Sequence, residues 1–136
     1  MNDLAPTLAA LPPLSLYIHI PWCLKKCPYC DFNSHEVRKN YLEQDDLEKN
    51  YVTALVRDLE MALADVWGRR ISSVFFGGGT PSLFGASSID TILTAVRTLM
   101  PLEHFAEVTL EANPATFEVQ KFSDYRAAGI NRLSIG

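Results

Sequence analysis

The sequence predicts an α/β fold in which parallel strands are joined by helices, the N-terminal part of a (partial) β/α barrel. Three observations predict it. Apolar residues alternate along short segments near Leu14 and Glu107, they recur at helical spacing between the strand segments, and Gly or Pro marks the junctions. Strands that alternate with helices pair in parallel through right-handed crossovers.

In the first strand Leu14, Leu16, Ile18 and Ile20 alternate with Ser15, Tyr17 and His19. The segment from Pro21 to about Asn40 follows neither period and contains Pro28. It reads as a long loop, and loops of that length are usually functional. From about Glu43 to Val66, the positions Leu47, Tyr51, Leu55, Leu59, Ala62 and Val66 form the apolar stripe of an amphipathic helix, which Gly68 and Arg69-Arg70 end. Ile71 to Phe76 reads as a short buried strand that meets a turn at Gly77-Gly78-Gly79-Thr80-Pro81.

Ser87 is the expected N-cap of the second helix, with Asp90 in the capping-box position and Ile89, Ile92, Leu93, Val96 and Leu99 on one face. Glu107 to Ala112 alternates again and stops at Asn113-Pro114. Thr116 is placed to cap a short helix to about Ala128, Gly129 suits its C-terminal end, and Arg132 to Ile135 opens a fourth strand. A parallel sheet finishing on a bare strand has an open edge, so residues 14–136 are expected to be the N-terminal portion of a longer core domain, and residues 1–13 an N-terminal extension. A whole barrel would need about 200 residues or more. This stretch alone is expected to be poorly soluble or to associate through its open edge.

Composition excludes several classes. The chain has 136 residues, of which 48% are hydrophobic and 21% charged, with a net charge of −4. These proportions are globular, and neither a disordered tail nor a collagen-like repeat has them. The acidic balance and the lack of a Lys/Arg stripe argue against nucleic-acid binding, which draws its affinity from clustered cations. No apolar stretch approaches the ~20 residues of a spanning helix. Pro6, Pro12 and Pro13 break the stretch from Leu4 to Leu14, and the N-terminus carries Asp3 without Lys or Arg, unlike a signal peptide. Three cysteines within eight residues suit a metal and a reducing compartment more than a disulfide framework. A cytoplasmic location is expected.

Three strand ends carry unusual residues, and in parallel α/β folds ligands bind beyond the carboxyl ends of the strands. The first strand leads into Cys23, Cys27 and Cys30, spaced C-x3-C-x2-C. Three thiolates leave one iron of a four-iron cluster open to an outside ligand. Lys25 and Lys26 lie between the ligands, where positive charge favours thiolates, and they read equally well as simply solvent-exposed side chains. A structural zinc completed by His35 is the alternative, although the zinc-knuckle spacing would put its fourth ligand at Asn40.

The Gly77-Gly78-Gly79-Thr80-Pro81 segment lacks the Lys of a P-loop and the spacing of a dinucleotide fingerprint. Three glycines let backbone approach a ligand and expose peptide groups at the sheet edge, or they form a tight turn. Glu111, at the end of a covered strand, needs a partner: an ammonium group of a ligand, or Arg132 on the next strand. Tyr17 and His19 share the face opposite the apolar side of the first strand, where His19 is equally well read as a satisfied core residue.

The segments Tyr17-Ile-His-Ile-Pro-Trp-Cys23, the cysteine spacing, Phe76-Gly-Gly-Gly-Thr-Pro81, Glu111-Ala-Asn-Pro114 and Asn131-Arg-Leu-Ser-Ile-Gly136 together resemble the radical S-adenosylmethionine proteins. Within them the chain is most similar to the oxygen-independent coproporphyrinogen III oxidase-like group, in particular its heme chaperone branch. The resemblance implies that Cys23, Cys27 and Cys30 hold a [4Fe-4S] cluster whose open iron is chelated by S-adenosylmethionine. It implies that Gly78, Gly79 and Thr80 line the methionine end of that cofactor, that Glu111 makes a polar contact to it, and that Tyr17 and Tyr29 flank it. An electron from the cluster would release a 5′-deoxyadenosyl radical, with the protein supplying orientation and exclusion of water.

The decarboxylating oxidases resemble C-x3-C-x2-C-x-C, whereas Phe32 stands here at the place of the last cysteine. That departure favours the chaperone branch, whose cargo is heme and whose partners are heme-acceptor proteins, over porphyrin decarboxylation. Heme ligands are expected outside this stretch.

Overall fold

The computed structural model describes residues 9–23, 35–36, 41–113 and 119–136. The chain runs through β1 (Leu14–Ile20), β2 (Trp22–Cys23), β3 (His35–Glu36), α1 (Tyr41–Ala62), β4 (Ile71–Gly78), α2 (Ala86–Leu99), β5 (Leu102–Ala112), α3 (Val119–Ala128) and β6 (Arg132–Ile135). Short 3-10 turns cover Leu63–Asp65 and Pro81–Leu83. Four strands form one parallel sheet in the order β1-β4-β5-β6, as expected of successive right-handed crossovers.

Period-two alternation sorts the two faces. The register aligns Ile18 with Phe76, Phe76 with Leu110 and Leu110 with Leu133, an apolar row across the whole sheet. This row packs with Ile89, Ile92, Leu93 and Val96 of α2, Val52 of α1, and Tyr125 and Ala128 of α3 in one core. Each fully buried side chain of this kind contributes roughly 1.5–3 kcal/mol. The adjacent row, Tyr17, Phe75, Thr109 and Arg132, lies on the opposite face, the inner side of the barrel curve.

Several boundaries depart from the expectations. The segment read as an aperiodic loop contains a two-residue parallel ladder, Trp22 beside His35 and Cys23 beside Glu36, too short to leave an alternating signal. β4 continues through Gly77 and Gly78 because both keep pairing with β1, to His19 and Ile20. β5 begins at Leu102 rather than Glu107, since its first residues are mostly exposed and are held by backbone pairing across an irregular register between Ile71 and Ser73.

Ser87 is not the N-cap of α2. Gly85 takes that place, and its N–H is donated to Glu48 Oε1 of α1 at 2.8 Å. A carboxylate from the neighbouring helix thus sits at the positive end of α2, where it is electrostatically favoured. Gly129 ends α3 with φ +120, and its N–H and that of Ile130 return to the carbonyl of Tyr125. Asn131 then ties the turn to β5, accepting from Val108 N–H at 2.8 Å and donating to the Ala106 carbonyl at 3.0 Å. Thr116, expected to cap α3, lies outside the described residues. Among the described residues no helix is long and apolar enough to cross a membrane.

Candidate functional site at the strand ends

The carboxyl ends of β1, β4 and β5 form one rim, so the three unusual strand ends converge as parallel pairing requires. A cavity of about 370 Å³ opens there, lined by Gly79, Thr80, Pro81, Glu111, Asn113 and Ser134 among others. Its wall is backbone-rich on the β4 side and carries a carboxylate on the β5 side.

The N–H groups of the glycine segment are not left unpaired. Gly78 N–H is donated to Glu111 Oε2 at 3.2 Å, Gly79 N–H to the Ile20 carbonyl at 2.8 Å, and Thr80 N–H to the Trp22 carbonyl at 2.7 Å. Gly78 has φ +120, and a Cβ there would lie 2.6 Å from the Ile20 carbonyl oxygen. At Gly79 a Cβ would lie 2.5 Å from the Trp22 carbonyl oxygen. Glycine is therefore required by the chain's own close approach, β4 crossing the Ile20-Pro21-Trp22 segment with no room for a side chain.

Glu111 is half-buried and its partner is the Gly78 N–H, whereas Arg132 pairs with Glu107 at 3.3 Å. The physical reason is register. Arg132 lies opposite Thr109, one side-chain step from Glu107, while Glu111 lies opposite Ser134 at the rim. Thr109, buried beneath this pair, donates its hydroxyl to Glu107 at 3.1 Å.

Tyr17 and His19 project from the same face of β1, and Tyr17 Oη is hydrogen-bonded to His19 Nδ1 at 2.8 Å. The Tyr17 ring stacks on Phe75 with centroids 6.2 Å apart. Partial burial, and then the negative charge of Glu111, push the Tyr17 phenol above its ordinary pKa. Tyr17, His19, Glu111 and the glycine segment thus form one polar surface beside the cavity.

Cys23 ends β2, immediately after the Trp22 peptide that Thr80 holds. Cys27, Cys30 and Tyr29 lie outside the described residues, as do Lys25, Lys26 and Phe32. Among the described residues no group of three or more His, Cys, Asp or Glu is gathered. The donor set nevertheless fits an iron–sulfur centre: three thiolates are soft ligands, and the tethered end of their loop stands beside a rim that carries a carboxylate and an open cavity.

A supporting bracket went unread in the sequence. Tyr125, buried on α3, donates its hydroxyl to the carbonyls of Phe84 and of Ser82, the latter at 2.9 Å, and Lys121 Nζ donates to Ser82 as well at 3.0 Å. Burial, with a smaller contribution from Glu48, holds the Tyr125 phenol far above its ordinary range. Trp22, Tyr51 and Phe84 pack together above it. Aromatic residues in a Pro- and Ser-containing loop were the signal available for this bracket.

An open parallel sheet, a thiolate-bearing loop after its first strand and a glycine segment after its second are the marks of one protein class, and residues 17–136 match the family described as Radical SAM superfamily. The chain belongs to that superfamily. Over 129 residues it is 52% identical to the "Heme chaperone HemW" of Escherichia coli (strain K12), covering 95% of this chain and 33% of that protein. It is 42% identical over 122 residues to the mitochondrial "Radical S-adenosyl methionine domain-containing protein 1" of Danio rerio, covering 90% of this chain and 26% of the relative.

Among solved structures it is similar to the Escherichia coli coproporphyrinogen III oxidase HemN, described as a radical SAM enzyme. That match has a TM-score of 0.80 at 32% identity and covers 91% of this chain and 27% of that one. The chain therefore spans about a third or less of the length of the proteins it matches.

Proposed function

We propose that residues 14–136 are the N-terminal portion of the core domain of a heme chaperone that binds a [4Fe-4S] cluster with exchangeable S-adenosylmethionine and passes heme to acceptor proteins in the cytoplasm. Residues 1–13 form an extension to it. The observation that carries this reading is the 52% identity to a heme chaperone, which extends over 95% of this chain. Phe32, at the place where the oxidases carry a further cysteine, supports the same choice.

Cys23, Cys27 and Cys30 hold the cluster, and Lys25 and Lys26 favour their thiolate forms. When bound, such a cluster supplies an open iron and an electron for reductive cleavage of a sulfonium. Gly78, Gly79 and Thr80 line the methionine end of the cofactor, and the two glycines add no side-chain bulk there. Glu111, held by the Gly78 N–H, offers a carboxylate to a cationic group. Tyr17 and Tyr29 flank the site, and the Tyr17 ring is held by its stacking on Phe75.

The second reading is coproporphyrinogen III oxidase, favoured by the structural likeness to HemN. Full-length protein, reconstituted anaerobically, separates the two when titrated with heme, mixed with apomyoglobin, and assayed on coproporphyrinogen III. The chaperone binds heme stoichiometrically, transfers it and decarboxylates nothing. Decarboxylation with consumption of S-adenosylmethionine would establish the oxidase instead.

A further inference from the structure

A two-residue strand has few backbone hydrogen bonds with which to fix its direction. Cys23 ends such a strand, so the placement of the first cysteine depends on what holds its neighbour, Trp22. Three residues, Thr80, Phe84 and Tyr51, converge on it. Its carbonyl accepts Thr80 N–H at 2.7 Å. Its indole stacks on Phe84 with centroids 5.9 Å apart and planes inclined by 20°, and it meets the Tyr51 ring edge-on at 4.6 Å and 79°. Tyr51 and Phe84 themselves meet edge-on at 6.1 Å.

Each contacting ring is anchored in turn. Tyr51, on α1, donates its hydroxyl to the His19 carbonyl. Phe84 is only 4% exposed, and its carbonyl accepts the hydroxyl of Tyr125 on α3. The bracket thus joins two crossover helices to the segment that follows the glycines, and its centre is the residue directly preceding Cys23.

We propose that Trp22 is a positioning residue for the metal centre: Tyr51 and Phe84 clamp its indole and thereby set the place of Cys23 against the Gly79-Thr80 backbone. This rests on Cys23 being a cluster ligand and adds what fixes it. A ligand must be supported by packed groups outside the coordination shell, and loss of such support weakens metal retention by about 10- to 100-fold.

The test uses full-length protein carrying Trp22→Ala, Trp22→Phe or Val96→Ala, the last a core truncation on α2 away from the rim. Wild type must first bind a [4Fe-4S] cluster; failure there overturns the cluster reading itself and leaves nothing for Trp22 to position. With the cluster present, the readouts are iron release to a chelator, the change in the paramagnetic resonance of the dithionite-reduced cluster on adding S-adenosylmethionine, and melting of the apo-protein.

Trp22→Ala should lose iron about tenfold faster and blunt the resonance change. Trp22→Phe, which keeps an aromatic ring in the bracket, should restore both, and Val96→Ala should melt earlier yet behave as wild type in both. If Trp22→Ala fails to fold, Phe84→Leu, which keeps apolar volume and removes the stacking face, carries the same expectation. The proposal is overturned if the folded variants at Trp22 or Phe84 retain iron as wild type does. It is equally overturned if Val96→Ala loses iron as fast as they do.

Discussion

Gly78 and Glu111, on adjacent strands, are joined by a 3.2 Å hydrogen bond from the Gly78 N–H to Glu111 Oε2. A backbone donor at the end of β4 therefore orients a carboxylate at the end of β5, and that carboxylate lines the cavity. Replacing Glu111 with Gln retains an acceptor and removes the charge, whereas Ala removes both. Glu111→Ala should destabilise the protein by about 1 kcal/mol, the loss of one part-buried hydrogen bond, and Glu111→Gln by less. On the proposed function, Glu111→Gln should also weaken S-adenosylmethionine binding about tenfold, since bonds to a charged group contribute about 1.5–3 kcal/mol. Chemical denaturation and titration calorimetry of the reconstituted protein read the two effects separately.

Gly78 and Gly68 both have positive φ but differ in their surroundings. A Cβ at Gly78 meets a backbone carbonyl oxygen at 2.6 Å, and one at Gly68 meets nothing within 4 Å. Gly68→Ala should therefore cost only about 1–2 kcal/mol, the left-handed penalty of a non-glycine residue. Gly78→Ala should cost more, because β4 must also move away from β1. Equal unfolding midpoints for the two variants would contradict the close crossing.

Tyr17, Tyr51 and Tyr125 all have phenols raised above the ordinary value, chiefly by burial. The folded state therefore holds these protons more tightly than the unfolded state does. The stability they contribute is fully present below the unfolded pKa of about 10 and is lost as pH rises beyond it. Unfolding free energy should fall from about pH 10 upward, and Tyr125→Phe, though less stable at neutral pH, should show a shallower fall. An unchanged slope in Tyr125→Phe would place the alkaline loss elsewhere.

The Arg132–Glu107 pair is 55% exposed on both sides. Its removal by Arg132→Ala should cost at most about 1 kcal/mol, and the difference should shrink in high salt. A larger, salt-independent loss would mean that Arg132 also braces Thr109 beneath it.

Legibility in the sequence followed burial. Leu14, Leu16, Ile18 and Ile20 alternate because one side of β1 meets the helices and the other does not, so that strand was read to its exact ends. Leu102 to Phe105 gave no such pattern, being a stretch of strand whose side chains mostly face solvent. Ser87 satisfied the local rule for a helix cap but lost the place to Gly85, whose N–H is met by Glu48 from another helix. The convergence of the end of β1, the glycines and Glu111 was legible because parallel topology alone places strand ends together. The Glu111 partner was not, because choosing between Arg132 and a backbone N–H depends on register and rotamer. Trp22, Tyr51, Phe84 and Tyr125 belong to four separate segments, and only packing brings them together.

The central claim is that this rim carries an iron–sulfur centre with an open iron. The most direct measurement is anaerobic reconstitution of the full-length protein with iron and sulfide, followed by metal analysis and, after reduction with dithionite, electron paramagnetic resonance with and without S-adenosylmethionine. The expected result is a [4Fe-4S] signal that changes on adding S-adenosylmethionine and is lost when Cys23, Cys27 or Cys30 is replaced. A colourless protein holding zinc, or a cluster signal indifferent to S-adenosylmethionine, would contradict it.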